Sequence, residues 1–153
     1  MGVYCDTNFL VRLYATAPSR DQALDRIAAL PGRGPRIPIT WLHELELSNA
    51  LQQMVLLSRT GMGMSFTPEQ ASLGLLQFED DLREAQRFAA ASLVPREMVH
   101  QARELSLRHT ALHGFRAYDV AHVACALLLK CDSFWSFDTK ANLLAKLEGL
   151  NTL

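Results

Sequence analysis

The sequence predicts a single three-layer α/β/α domain over residues 1–153, built on a short, mainly parallel sheet. Three observations predict it. Short apolar runs alternate along the chain with longer segments of helical spacing. The helical segments carry their own start and stop residues. One late segment, YDVAHVACALLLK, is small and apolar on nearly all sides, which marks a central helix.

In chain order, GVYC reads as a short buried strand, and Phe9 to Tyr14 begins a helix that TAPS interrupts. SRDQALDRIAAL follows as a helix with a serine start and a stop at Pro31 and Gly32. The turn-rich PGRGPR leads into IPIT, a strand whose proline favours an edge or an end. TWLHELELSNALQQMVLLS is a helix capped by Thr40. Its apolar residues Leu42, Leu45, Leu47, Ala50, Leu51 and Met54 exceed a narrow face, so it is expected to be well buried.

RTGMGMSF breaks that helix, and a long amphipathic one is expected from Thr67 or Pro68 to about Ala91, with FEDDLRE on its solvated side. A further helix runs from Pro95 to about Leu112 and stops before Gly114. After the central helix, SFWSF reads as a strand, TKANLLAKLEG as a helix closed by Gly149, and the last residues as a final short strand.

At 153 residues, 49% hydrophobic and 20% charged, the chain is long enough to bury a core and has an ordinary globular composition. No apolar stretch reaches the roughly 18 residues of a membrane span. MGVYCD lacks the basic and apolar regions of a secretory signal, so the expected location is the cytoplasm. Cys5, Cys125 and Cys131 are odd in number and lack paired-ligand spacing, and they read as reduced, packed thiols. A net charge of -1 excludes strong general attraction to nucleic acid. Lysine occurs only at 130, 140 and 146, so the basic residues are mainly arginine, which suits phosphate recognition.

On this scaffold the acids gather at one edge. Asp6 falls at the carboxyl end of the first strand, Asp138 at that of FWSF, and Asp119 at the start of the central helix. That edge of an open α/β sheet is where ligands bind. Glu46 lies about two turns into the helix after the second strand, while Glu44 points about 200° away. Each aspartate also suits a plain helix cap, and Glu46 a solvent contact or an arginine partner. Caps alone do not explain why several negative charges share one edge. Carboxylates packed together repel unless they are protonated or given a cation. Hard oxygen ligands without histidine or thiolate favour Mg2+ or Mn2+ over zinc.

YCDTNFLVRLY, HELELSNAL, YDVAHVACAL and FWSFDTKANLLAKLEGL, in this order and over nearly the whole chain, resemble the motifs of a PIN domain, and most closely those of VapC-type ribonuclease toxins. The resemblance implies an acidic quartet binding Mg2+ or Mn2+ at Asp6, Glu46, Asp119 and Asp138. Glu46 is preferred to Glu44 because it precedes the pattern in ELSNAL. Asn8 would orient the Asp6 carboxylate or a water, Thr7 would serve as a backbone or cap contributor, and Ser136 would hydrogen-bond a site carboxylate. His122 reads as a packed, hydrogen-bonded histidine, and Tyr118 as core or cleft wall.

The resemblance further implies in-line hydrolysis of RNA to a 5'-phosphate and a 3'-hydroxyl, with tRNA or other structured RNA as substrate. It also implies a cognate antitoxin, sometimes placing an arginine among the acids, and a homodimer. The helices at 67–91 and 95–112 are the expected protein-binding arm. Arg12 and Arg116, with Arg33 and Arg36, are the candidate phosphate-binding rim. Two alternatives stand beside the nuclease: a non-catalytic PIN-like module that binds RNA or protein, and a haloacid-dehalogenase-like phosphatase. The phosphatase needs a second aspartate two residues after Asp6, where this chain has Asn8.

Overall fold

Alternation along the first strand sets the layers. In the computed structural model, which describes residues 2–15, 20–32 and 36–153, β1 (Val3–Cys5) turns Tyr4 into one apolar cluster and Val3 and Cys5 into another. β4 (Ser133–Trp135) repeats the division, with Phe134 on the first side and Trp135 on the second. Both faces of the sheet are therefore covered, as parallel sheets require.

The first cluster is built with α5 (Pro95–His113), α6 (Ala117–Leu128) and α7 (Thr139–Leu147). The second is built with α1 (Thr7–Tyr14), α3 (Trp41–Arg59) and α4 (Pro68–Glu84), with Ala23 of α2 (Arg20–Ala28) at its margin. All strand pairing is parallel: β1 pairs with β4, and β4 with β5 (Asn151–Thr152). Separately, β2 (Ile37–Ile39) pairs with β3 (Phe88–Ala90). β2 lies beside β1, giving the spatial order β3-β2-β1-β4-β5.

His43 spans the junction between these two ladders. Its Nδ1 accepts from the Thr40 N–H (3.0 Å), as the glutamate or glutamine of a capping box would, and its Nε2–H donates to the Cys5 carbonyl (2.8 Å). The ring is fully buried and held neutral, with burial lowering its pKa to about 3.

Two expectations need correction. The helix beginning at Thr67 has the capping box formed by Thr67 and Gln70 and Pro68 in its first turn, but it ends at Glu84, with Ala85 in the left-handed region. The residues expected to continue it form β3 instead. Ile37 N–H donates to Arg87 O (2.8 Å) and Ala91 N–H to Ile39 O (2.7 Å), and Phe88 is buried. Partners some 50 residues away outweigh the helix propensity of the alanines.

Second, α3 is not buried all round: Leu42, Leu47 and Leu51 enter the core, whereas Leu45 and Leu56 face outward. Tyr118, expected as core or cleft wall, is exposed and lies on the cleft rather than in the core. The central helix is as expected, with Asp119, Val120 and His122 to Ala126 buried. TAPS and residues 33–35 of PGRGPR lie outside the described residues.

Close packing of α4 on α1 depends on Gly74, where a Cβ would stand 2.5 Å from the Tyr14 carbonyl oxygen. Gly114, at φ 65°, ends α5 and turns the chain into α6, which brings Asp119 to the carboxyl edge of the sheet.

Candidate active site

Each of the sheet-edge aspartates uses one oxygen for a cap and turns the other inward. Asp6 Oδ1 accepts from the Phe9 N–H (2.9 Å) at the start of α1. Asp138 Oδ1 accepts from the Lys140 and Ala141 N–H groups (2.8 and 3.2 Å) at the start of α7. Asp119 lies in the first turn of α6, and its Oδ2 accepts from the Arg116 N–H (3.0 Å). The cap and the site are therefore served by the same residues.

The two strand-end aspartates share Ser136. The Asp138 N–H donates to Ser136 Oγ (2.8 Å), and the Ser136 hydroxyl donates to Asp6 Oδ2 (2.6 Å). Burial raises the Asp6 pKa to about 6, against the lowering effects of His122, Ser136 and the Phe9 N–H. Burial also pushes Asp138 up. The Ala141 and Lys140 N–H groups and Arg116 more than offset it, so the carboxyl ends below its ordinary value.

Glu46 projects from α3 to the imidazole of His122 on α6, where Nε2 lies 2.6 Å from Oε2. A carboxylate only accepts, so Nε2 carries the proton. Thr7 Oγ1 is 3.1 Å from the same nitrogen, and the Tyr4 hydroxyl is 2.8 Å from Nδ1. Burial would raise the Glu46 pKa, but the bond and charge of His122, with Thr7 and Arg116, bring it below the ordinary value.

Arg116 closes the arrangement. Its Nε donates to Asp119 Oδ2 (3.1 Å), and its Nη2 donates to both Asp119 Oδ1 (3.0 Å) and Asp138 Oδ2 (2.7 Å). These bonds to Asp119, then the burial that opposes them and the weaker pull of Asp138, leave the guanidinium above its ordinary pKa.

Asp6, Glu46, Asp119 and Asp138 line one cleft of about 420 Å3, together with Thr7, Asn8, Val11, Ala50, Gln53, Arg116, Tyr118 and His122. Among the sequence-predicted residues, Ser136 is buried beneath it. Glu44 is exposed and does not line it. Arg12 lies outside the lining, with its guanidinium carbon 5.9 Å from the Phe137 ring centroid. Arg36 precedes β2 at the opposite edge of the sheet, and Arg33 lies outside the described residues. Gln53 went unremarked in the sequence, although it stands seven residues after Glu46 and so on the same helical face. Tyr4 beneath His122 had no local signal.

The lining fits a hard divalent cation in kind, since the donors are carboxylate oxygens and the buried Asn8 Oδ1 has no hydrogen-bond partner among the described residues. In position, the side chains are engaged elsewhere. Among the described residues no three His, Cys, Asp or Glu groups stand ready to hold a metal ion.

A parallel α/β sheet with acids gathered at its carboxyl edge places them where open sheets of this class bind their ligands. The chain belongs to the PIN domain family, whose model matches residues 3–147. Its fold is similar to that of VapC20 of Mycobacterium tuberculosis, described as a Sarcin-Ricin loop cleaving toxin, at 15% identity, with TM-score 0.65 and coverage of 93% of this chain and 94% of that one. It is also similar to VapBC-1 of nontypeable Haemophilus influenzae, at 14% identity, TM-score 0.66 and coverage of 100% and 97%. VapBC2 of Rickettsia felis, solved bound to a DNA fragment from its promoter, gives 15% identity, TM-score 0.67 and coverage of 100% and 98%. Comparison with curated proteins yields no match.

Proposed function

We propose that the chain is a Mg2+- or Mn2+-dependent endoribonuclease of the VapC kind, the toxin of a type II toxin-antitoxin pair. One observation carries this reading: acids from four separate stretches of sequence, Asp6, Glu46, Asp119 and Asp138, line a single cleft at the carboxyl edge of the sheet. A bound divalent cation supplies stabilisation of phosphate charge and a lowered pKa for an attacking water. Asp6, Asp119 and Asp138, with the Asn8 carbonyl, are the residues that would hold it. Ser136 orients Asp6. Glu46, held ionised and in place by His122, contributes a further ligand or accepts a proton from the water. His122 is thus a positioning residue.

Single-stranded or looped RNA, in tRNA or another structured RNA, presents the accessible backbone such a cleft needs. The protein partners in this reading are a cognate antitoxin and a second copy of the chain. Exposed Leu73 and Leu76 on α4 and Leu107 and Leu112 on α5 support such contacts. Among the described residues no helix is long and apolar enough to cross a membrane, and the reading places the protein in the cytoplasm.

The test is incubation of the purified protein with a mixed tRNA and structured-RNA pool in Mg2+, Mn2+ or chelator. Cleavage that requires the cation and leaves 5'-phosphate ends supports the reading. Cleavage unaffected by chelator defeats the metal dependence, and absence of both cleavage and cation binding favours the non-catalytic module.

A further inference from the structure

The acids that would hold a cation are not alike in their present partners. Asp6 faces a serine hydroxyl and Glu46 an imidazole, whereas Asp119 and Asp138 face a full positive charge, the Arg116 guanidinium. That group bonds both oxygens of Asp119 and the inward oxygen of Asp138. The planar guanidinium fork matches carboxylates in geometry and charge, so it supplies them with the positive charge a cation would otherwise bring. It also bonds the same oxygen atoms, so the positive charges of Arg116 and a divalent ion compete for them.

We propose that Arg116 is a built-in counter-ion that occupies the cation locus of the free protein, and that a divalent cation binds by displacing it toward the cleft mouth, where RNA phosphate enters. This rests on the metal-dependent reading above.

Three features support exchange rather than a permanent bridge. The Arg116 side chain is 65% exposed, so it has an open path out, and its bonds are weakened by solvent. Asp119 keeps its cap without the guanidinium, because the Arg116 backbone N–H donates to it independently (3.0 Å). Asp138 likewise keeps two backbone donors on its other oxygen. Displacement therefore leaves α6 and α7 in place while freeing the inward oxygens. It also leaves a guanidinium at the rim, which suits phosphate and answers the difficulty that an acidic cleft repels RNA.

The experiment is Mn2+ titration of the full chain by calorimetry, comparing the unaltered protein with Arg116→Met. Displacement predicts that the variant binds Mn2+ about tenfold more tightly, because the ion no longer competes with the arginine. Equal or weaker binding by the variant overturns the proposal and leaves the metal reading standing. Absence of binding in both proteins overturns the two together. A second measurement needs no variant: the Arg116 Nε–H resonance of 15N-labelled protein should lose its hydrogen-bonded shift and slow exchange as Mg2+ is added. A resonance unchanged at saturating Mg2+ overturns the proposal.

Discussion

The Ser136 hydroxyl donates to Asp6 Oδ2 at 2.6 Å while accepting from the Asp138 N–H at 2.8 Å, so one small side chain couples the acids that end β1 and follow β4. Strand pairing makes this possible. Cys5 is in register with Trp135, and the Asp6 N–H donates to the Trp135 carbonyl (3.0 Å), which brings the residues just beyond both strands together.

Ser136→Ala should therefore act on both acids. It removes the donor that lowers the Asp6 pKa, which should rise above about 6, and leaves the Asp138 N–H without its partner. We expect a stability loss of about 2 kcal/mol by denaturant unfolding, typical for a bond to a charged group. Unchanged stability would mean that the bridge contributes nothing.

Asp6→Asn should raise the melting temperature of the cation-free protein. A folded pKa of about 6 against an unfolded value of about 3.9 means the folded state binds more protons between these pH values. Stability from this group is thus full below about pH 4 and lost as pH rises through about 6. The cost of the charged form above that is at most about 3 kcal/mol. The variant's advantage should be several degrees at pH 7.5 and close as pH falls below 6, read by thermal unfolding with chelator present. An advantage that grows with acidity would contradict the burial argument.

His43 should act with the opposite sign. Its folded pKa, lowered to about 3, lies below the unfolded value of about 6.5, so the unfolded chain takes up a proton first. The stability it contributes is complete above about pH 6.5 and is lost as pH falls, by about 1.4 kcal/mol per unit. His43→Gln retains groups able to accept from Thr40 and donate to Cys5, but does not titrate. Its stability should fall less steeply than that of the unaltered protein between pH 6.5 and 4. Parallel curves would show that the ring is not held neutral.

His122→Phe removes the group that fixes Glu46 and leaves the Tyr4 hydroxyl and Thr7 without their partner. A stability cost of about 2–3 kcal/mol is expected. The Glu46 carboxyl should also titrate at a higher pH, since His122 is the largest of the influences that offset its burial. NMR titration of that carboxyl separates positioning from simple packing, because a packing role alone would leave its pKa where it is.

Much of the candidate site was legible, in that the acids picked from local signals line one cleft. Asp6 and Asp138 end short apolar runs and begin helices, and Asp119 opens the most apolar helix. In the structure the cap role does not preclude the site reading of these aspartates, since a carboxylate that caps a helix with one oxygen can face the cleft with the other. What escaped was fixed by distant partners. β3 has alanines that suit a helix and becomes a strand through pairing with β2. The Arg116 bridge joins Asp119, three residues on, to Asp138, 22 residues on, and only the fold brings them to one side chain. Leu45 fits an apolar count but lies 56% exposed, because composition does not say which part of a broad apolar face finds a partner.

The most direct test of the central claim compares RNA cleavage by the unaltered protein, Asp6→Asn and Asp119→Asn in saturating Mn2+, with thermal unfolding of each to confirm the fold. The acidic cleft as a nuclease centre predicts that both variants fold and cleave at least about a hundredfold more slowly, given that even residues merely supporting metal ligands cost 10–100-fold. Folded variants that cut the same RNA at the unaltered rate would contradict it.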